Sequence, residues 1–152
     1  MKTSRKNFLA ALAASGALPL FNIGCAGFGE SRSRQLAKGA KTRIAIIGCG
    51  DWGRTLLVRA GLAGGCELVA LCEPDPAAIG VMYAKCAKVW GRDALVKAEV
   101  FADYREMFSK LGDALDAVFI ATPNHHHALP ALMAVRRGIA AFVEKPMAHT
   151  MA

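Results

Sequence analysis

Gly48, Gly50 and Gly53 stand at the spacing G-x-G-x-x-G, directly after the apolar run Arg43-Ile44-Ala45-Ile46-Ile47. Glu73 lies twenty residues beyond the last of these glycines. Each part has a physical use. Gly48 lets the chain leave a strand in a tight turn, Gly50 has no Cβ to fend off a pyrophosphate, and Gly53 lets a helix pack close to the sheet. The N–H groups and dipole at the start of that helix attract phosphate. Glu73, at the end of the next strand, can accept hydrogen bonds from a ribose 2′,3′-diol. The loop Gly48-Cys49-Gly50-Asp51-Trp52-Gly53 and Glu73 therefore form a candidate dinucleotide site, with a nicotinamide dinucleotide as the first choice. The bland alternative is a glycine-rich turn without a ligand, since 15 glycines can produce the spacing by chance. The context of strand, helix, second strand and terminal acid favours the ligand.

Two further segments fall at strand ends. One is Ala121-Thr122-Pro123-Asn124-His125-His126-His127, the other Val143-Glu144-Lys145-Pro146. A lysine on a rigid strand end can hold a substrate hydroxyl or assist a proton transfer, although most such lysines are solvated charges. Three consecutive histidines suggest a metal, but adjacent side chains diverge and no Cys or Asp lies close by in sequence, so no metal site is assigned. His126 reads as a surface residue at a helix start.

These residues need a scaffold, and the sequence supplies an alternation. Strands are expected at Thr42–Ile47, Glu67–Cys72, Val100–Phe101, Ala117–Ala121 and Ala140–Glu144. Helices are expected at Trp52–Ala63, ended by Gly64-Gly65, and from Pro76 to about Trp90 with Asp75 as N-cap. A third follows Asp103 to about Lys110, and a fourth spans His127–Gly138. Strands alternating with helices predict an α/β fold of the Rossmann-like, doubly wound kind, a parallel sheet covered on both faces.

The ordered set G-x-G-x-x-G, Cys72-Glu73-Pro74-Asp75, Asp103-Tyr104-Arg105-Glu106, Thr122-Pro123-Asn124-x-x-His127 and Glu144-Lys145-Pro146 resembles the Gfo/Idh/MocA oxidoreductases, the family of glucose–fructose oxidoreductase and inositol dehydrogenase. The resemblance covers residues 42–152. It implies NAD(P) held by Gly48 to Gly53 and Glu73, with Thr122, Pro123, Asn124 and His127 along its ribose and nicotinamide side. It places Glu144 and Lys145 at the family's E-K-P, where the lysine touches nicotinamide and substrate. A carboxylate at Glu73 repels a 2′-phosphate, so NAD is expected over NADP. The implied activity is hydride transfer to or from a sugar or polyol, with Lys145 as the catalytic residue present. Some members of the superfamily are instead glycosidases that use NAD transiently; these often carry another residue where Lys145 stands, which favours the dehydrogenase. A non-catalytic nucleotide-binding module is the third possibility. Members continue into a second α+β domain that supplies a substrate pocket and further acid–base groups. This chain reads as the nucleotide-binding half of such a protein, inactive alone and oligomeric in its full-length form.

Charge is unevenly placed. The chain carries +7, of which +5 lies in residues 1–40. With no basic stripe interleaved by aromatics, this does not indicate nucleic-acid binding. Lys2, Arg5 and Lys6 precede an apolar run from Phe8 to Phe21 and the small-residue exit Gly24-Cys25-Ala26, the pattern of a signal peptide over residues 1–26. Ser4-Arg5-Lys6-Asn7-Phe8-Leu9 is similar to a twin-arginine signal, with Lys6 replacing the second arginine. Residues 27–41 read as a flexible linker. The expected location is the periplasm or cell envelope. Membrane contact is expected only during export or through lipidation of Cys25, for which Asn22 is a poor upstream residue. Cys49, Cys66 and Cys72 fall in or beside expected strands and read as small hydrophobes. Residues 1–40 fused to a reporter that needs folded export should deliver it to the periplasm. Replacing Arg5 and Lys6 by Gln should stop delivery; survival of periplasmic activity would refute the twin-arginine route.

Overall fold

The computed structural model describes residues 39–148. The leader assignment over residues 1–26, Cys25 and most of the linker over residues 27–41 lie outside the described residues. Five parallel strands form one sheet in the order β3-β2-β1-β4-β5. They are β1 (Thr42–Ile47), β2 (Cys66–Cys72), β3 (Glu99–Phe101), β4 (Ala117–Ile120) and β5 (Ala140–Val143). The helices are α1 (Asp51–Ala63), α2 (Pro76–Trp90), α3 (Arg92–Lys97), α4 (Tyr104–Leu111) and α5 (Ala128–Val135). The expected doubly wound parallel sheet is present.

β1 shows why the fold has two apolar layers. Side chains alternate across a strand, so Ile44 and Ile46 enter one cluster while Ala45 and Ile47 enter the other. All four are buried, and burying one Ile side chain stabilises by about 1.5–3 kcal/mol. On the Ile44 face lie Leu57 of α1, Ile79, Met82 and Cys86 of α2, and Leu95 of α3. On the Ile47 face lie Tyr104, Met107 and Phe108 of α4 and Ala134 of α5. A strand buried on both faces reads as a continuous apolar run, which is what Ile44–Ile47 is.

The helix starts obey local chemistry. The Asp75 side chain accepts from the Ala77 N–H at 2.9 Å, with Pro76 opening α2. Asp103 caps α4 by accepting from the Arg105 N–H at 2.8 Å. At the amino edge, Asp116 accepts from the Arg43 N–H, Nε and Nη2 at 2.8, 3.1 and 2.9 Å. This fork fastens the start of β1 to the approach of β4, and it raises the Arg43 pKa.

Three departures from the sequence reading have physical causes. α3 was not expected: Gly91, at φ 76°, ends α2 and opens α3 in one step, and only Leu95 of α3 is buried. α5 is shorter than His127–Gly138, because residues Asn124–His126 form a 3₁₀ turn and the chain leaves the helix before Gly138, at φ 73°. A 3₁₀ turn over Gly112–Ala114 also precedes β4. No helix among the described residues is long and apolar enough to cross a membrane.

The glycine loop is where backbone meets backbone. A Cβ on Gly53 would lie 1.9 Å from the Gly48 carbonyl oxygen. One on Gly48, itself at φ +92°, would lie 2.7 Å from the Ala121 carbonyl group. One on Gly50 would meet nothing within 4 Å. Gly53→Ala should therefore destabilise the fold by about 2–3 kcal/mol, the ordinary cost of overpacking against atoms that cannot yield. Gly50→Ala should cost less than about 1 kcal/mol. Urea unfolding of both variants checks this; equal losses would refute the assigned packing.

Candidate functional site

The candidate residues meet at the carboxyl edge of the sheet, because hydrogen bonds bring the strand ends level. Gly48 N–H donates to the Cys72 carbonyl at 2.9 Å, Glu73 N–H to Phe101 at 2.8 Å, Ala121 N–H to Ile47 at 2.8 Å and Glu144 N–H to Ile120 at 3.1 Å. The first residue past each strand is thus set against its neighbour. The winding changes direction here, since β1 lies between β2 on one side and β4 on the other. Open α/β sheets bind ligands outside the carboxyl ends at such a switch point.

The loop Gly48–Gly53 leads from β1 into α1. Gly50 is the N-cap of α1, and no side chain caps that helix. Its φ of −65° is open to any residue, so the fold does not demand glycine there. What the missing side chain leaves is access to the backbone, as an approaching phosphate requires. Trp52 is 54% exposed beside it. Asp51 is exposed and ion-paired with Arg54, which holds its carboxyl below the usual carboxylate range. Lys85 approaches the same carboxylate at 3.7 Å.

Glu73 is already engaged with the loop. Its Oε2 accepts from the Cys49 N–H at 2.9 Å and its Oε1 from the Asp75 N–H at 3.1 Å. Each carboxylate oxygen can accept a second hydrogen bond, so a ribose diol can still be received. On the other side of the same residue, Arg54 Nη1 donates to the Cys49 carbonyl at 2.7 Å. Arg54 Nε is buried without a partner. Burial first, and the nearby Glu73 carboxylate second, push the Cys49 thiol up to about 12. Burial, followed by Asp103, does the same to Cys72.

Beyond β4, Thr122 Oγ1 is buried and has no hydrogen-bond partner, an orphaned polar atom at the crevice. Pro123 and Asn124 are exposed, the latter in the 3₁₀ turn. His127 is only 1% exposed. Its Nε2 lies 2.7 Å from the Thr122 carbonyl oxygen and its Nδ1 2.7 Å from that of Pro146. The ring therefore lies between the loop after β4 and the turn after β5, with each nitrogen within hydrogen-bond distance of a main-chain carbonyl and the N–H of a neutral ring donating to one of them. Glu144 is half-buried and Lys145 exposed at the end of β5. His126 is exposed, with its Nε2 3.3 Å from the Tyr104 hydroxyl. Among the described residues no group of His, Cys, Asp or Glu is placed to hold a metal ion.

The structure thus draws Gly48–Gly53, Glu73 and Thr122 together, with Glu144 and Lys145 on the adjoining strand end. The sequence singles out Asp75 only as a helix cap, and it gives no sign of the contact from Arg54 to the loop. The i,i+3 spacing of Asp51 and Arg54 signals only their own pairing, since such pairs meet on a helix.

Sheet order, uncapped helix and terminal acid define a dinucleotide-binding domain of the Rossmann type. The chain belongs to the oxidoreductase family with an NAD-binding Rossmann fold, GFO_IDH_MocA, whose model matches residues 42–152. It is similar to a glycosyl hydrolase family 109 protein of Stenotrophomonas maltophilia, with 32% identity over 90% of this chain and 28% of the relative. Among solved structures it is similar to the myo-inositol dehydrogenase of Lactobacillus casei in complex with NAD(H) and myo-inositol. That match has a TM-score of 0.60 and 27% identity, over 72% of this chain and 30% of the other. The scyllo-inositol dehydrogenase of the same organism, with NAD(H) and scyllo-inositol bound, has a TM-score of 0.57 and 27% identity over 71% and 29%. The chain spans under a third of the length of these relatives.

The buried thiols give a pH dependence. Both are raised from an ordinary 9.0, so the folded protein keeps protons that the unfolded chain releases. Their stabilising contribution is full below about pH 9 and is lost as pH climbs toward about 12. The urea midpoint should fall between about pH 8 and about pH 10.5. At about pH 8, iodoacetamide should label half-exposed Cys66 before Cys49 or Cys72, read by peptide mapping. Labelling of native Cys49 first would refute the assigned burial.

Proposed function

We propose that this chain is the cofactor-binding part of an NAD-dependent oxidoreductase acting on a sugar or polyol. The observation that carries the reading is Lys145, exposed at the carboxyl end of β5, on the edge that also holds the glycine loop and Glu73. The residues suit the cofactor. The α1 start and the Gly50 backbone would hold the pyrophosphate, Glu73 the adenosine ribose, and the orphaned Thr122 Oγ1 a polar group farther along. Bound nicotinamide would supply the hydride acceptor or donor.

The chain's own contribution is binding and orientation. Glu73 accepts from the ribose hydroxyls while keeping its bond to the Cys49 N–H. Lys145 Nζ would donate to the substrate oxygen and so hold the substrate in place, the positioning from which much catalytic advantage derives. The His127 ring, tied to Pro146, steadies the turn that carries Lys145. The proton of the substrate hydroxyl needs a base within hydrogen-bond reach, which on this reading comes from a part of the protein beyond residues 42–152; the chain alone binds cofactor without turnover. A leader-directed export would place the enzyme in the cell envelope.

The relatedness to glycosyl hydrolase family 109 proteins supports a second reading, in which NAD is used transiently to cleave a glycosidic bond. The two differ in redox balance. Assayed at the full length its gene encodes, the protein should form NADH from NAD with a sugar or polyol. Lys145→Ala should lower that rate by about a hundredfold or more, with NAD affinity kept. Release of nitrophenol from a nitrophenyl glycoside without accumulating NADH would favour the glycosidase instead.

Cofactor choice is tested separately by calorimetry. NAD should bind at least about tenfold more tightly than NADP, because setting a 2′-phosphate against Glu73 juxtaposes like charges. Glu73→Gln should narrow the difference, and Gly50→Val should abolish binding of both. Equal affinities in the unmodified protein would refute the role of Glu73.

A further inference from the structure

We propose that Arg54 is a positioning residue of the phosphate-binding loop, holding the Cys49–Gly50 peptide in the orientation that turns its N–H toward the incoming pyrophosphate. The proposal rests on the reading that this loop binds a dinucleotide.

The argument starts from peptide geometry. In a trans peptide the carbonyl of one residue and the N–H of the next point in opposite directions. Arg54 Nη1 holds the Cys49 carbonyl at 2.7 Å, so the Gly50 N–H is aimed away from the guanidinium. Gly50 itself is exposed, with nothing within 4 Å of where its Cβ would stand. A flip of this peptide would offer a carbonyl oxygen to the phosphate in place of a donor. Glycine makes such a flip easy, since it lacks the steric bar to positive φ. Something must therefore resist it.

The neighbouring peptide is already anchored by Glu73, whose Oε2 takes the Cys49 N–H. That bond fixes the entry to Cys49 and leaves its carbonyl free to turn. Arg54 closes the second side. Its other terminal nitrogen, Nη2, pairs with Asp51, which offsets a carboxylate at the helix mouth where negative charge would repel a phosphate. The planar fork of arginine can serve both acceptors at once, which lysine cannot.

Arg54 is held in this place at some cost. Its side chain is 13% exposed, and its Nε is buried with no partner. Buried donors are nearly always paired. A residue serving the fold alone would gain by swinging outward to water, so the inward pose points to the loop as its purpose.

The test separates diphosphate ligands from adenosine. NAD, ADP-ribose and adenosine are titrated into the protein and into Arg54→Met, which keeps much of the aliphatic stem, with thermal unfolding recorded for each. The expected result is a loss of about tenfold or more for NAD and ADP-ribose, with adenosine changed less than about twofold. Arg54→Lys should recover only part of the loss. Arg59→Met, which removes the same charge from an exposed position of the same helix, should leave NAD affinity within about twofold. Should Arg54→Met fail to fold, Arg54→Lys set against Arg59→Met still carries the comparison. Unchanged diphosphate affinity in Arg54→Met and Arg54→Lys, an equal loss for adenosine, or a loss in Arg59→Met matching that of the Arg54 variants would overturn the proposal. An unmodified protein that binds none of the three ligands would overturn the dinucleotide reading and the proposal together.

Discussion

The first turn of α1 rests on the backbone at the end of β1, and no side chain can come between them. Gly53 meets the Gly48 carbonyl at a separation that excludes even a methyl group. Gly48 in turn abuts the main chain at Ala121 and Thr122. The two ends of one short loop and a segment from far along the chain are thereby stacked main chain on main chain. The start of α1 lies against the crevice because of this stacking, and so do the loop peptides. Side-chain packing on the two faces then secures what the glycines allow.

Around that stack, polar contacts set the orientation of single groups. Glu73 takes the Cys49 N–H and Arg54 takes its carbonyl. His127 takes its place between Thr122 and Pro146. These are charged or aromatic side chains spent on main-chain atoms, an arrangement that favours defined geometry over flexibility. The sites they steady lie on opposite flanks of the same crevice: one where phosphate would enter, one where Lys145 stands.

The fold was legible because its signals are local. The run Arg43–Ile47 announces a strand buried on both faces. Asp75-Pro76 and Asp103 announce helix starts by cap chemistry that needs no distant partner. The glycine spacing and Glu73 mark the loop and the acid that the structure brings together. The remainder depends on contacts across the chain. α3 hides behind Gly91, one residue acting as stop and start. The histidine run gives no sign that His127 is interior and His126 exposed, because that depends on the turn over Asn124–His126 and on Pro146 arriving from the far strand. Arg54 reads as an ordinary helix-surface arginine until its reach back to Cys49 is seen.

The fork between Arg43 and Asp116 lies at the opposite end of the sheet from every residue of the crevice. It joins β1 to the approach of β4, the same two strands whose far ends frame the switch point. The two strands are therefore held at both ends, by the glycine stack beside the crevice and by this fork away from it. A disturbance at the amino edge would loosen the same two strands whose far ends frame the crevice, so a contact that touches no ligand-facing residue still bears on the site. β1 and β4 act in this sense as levers, clamped at one end and working at the other.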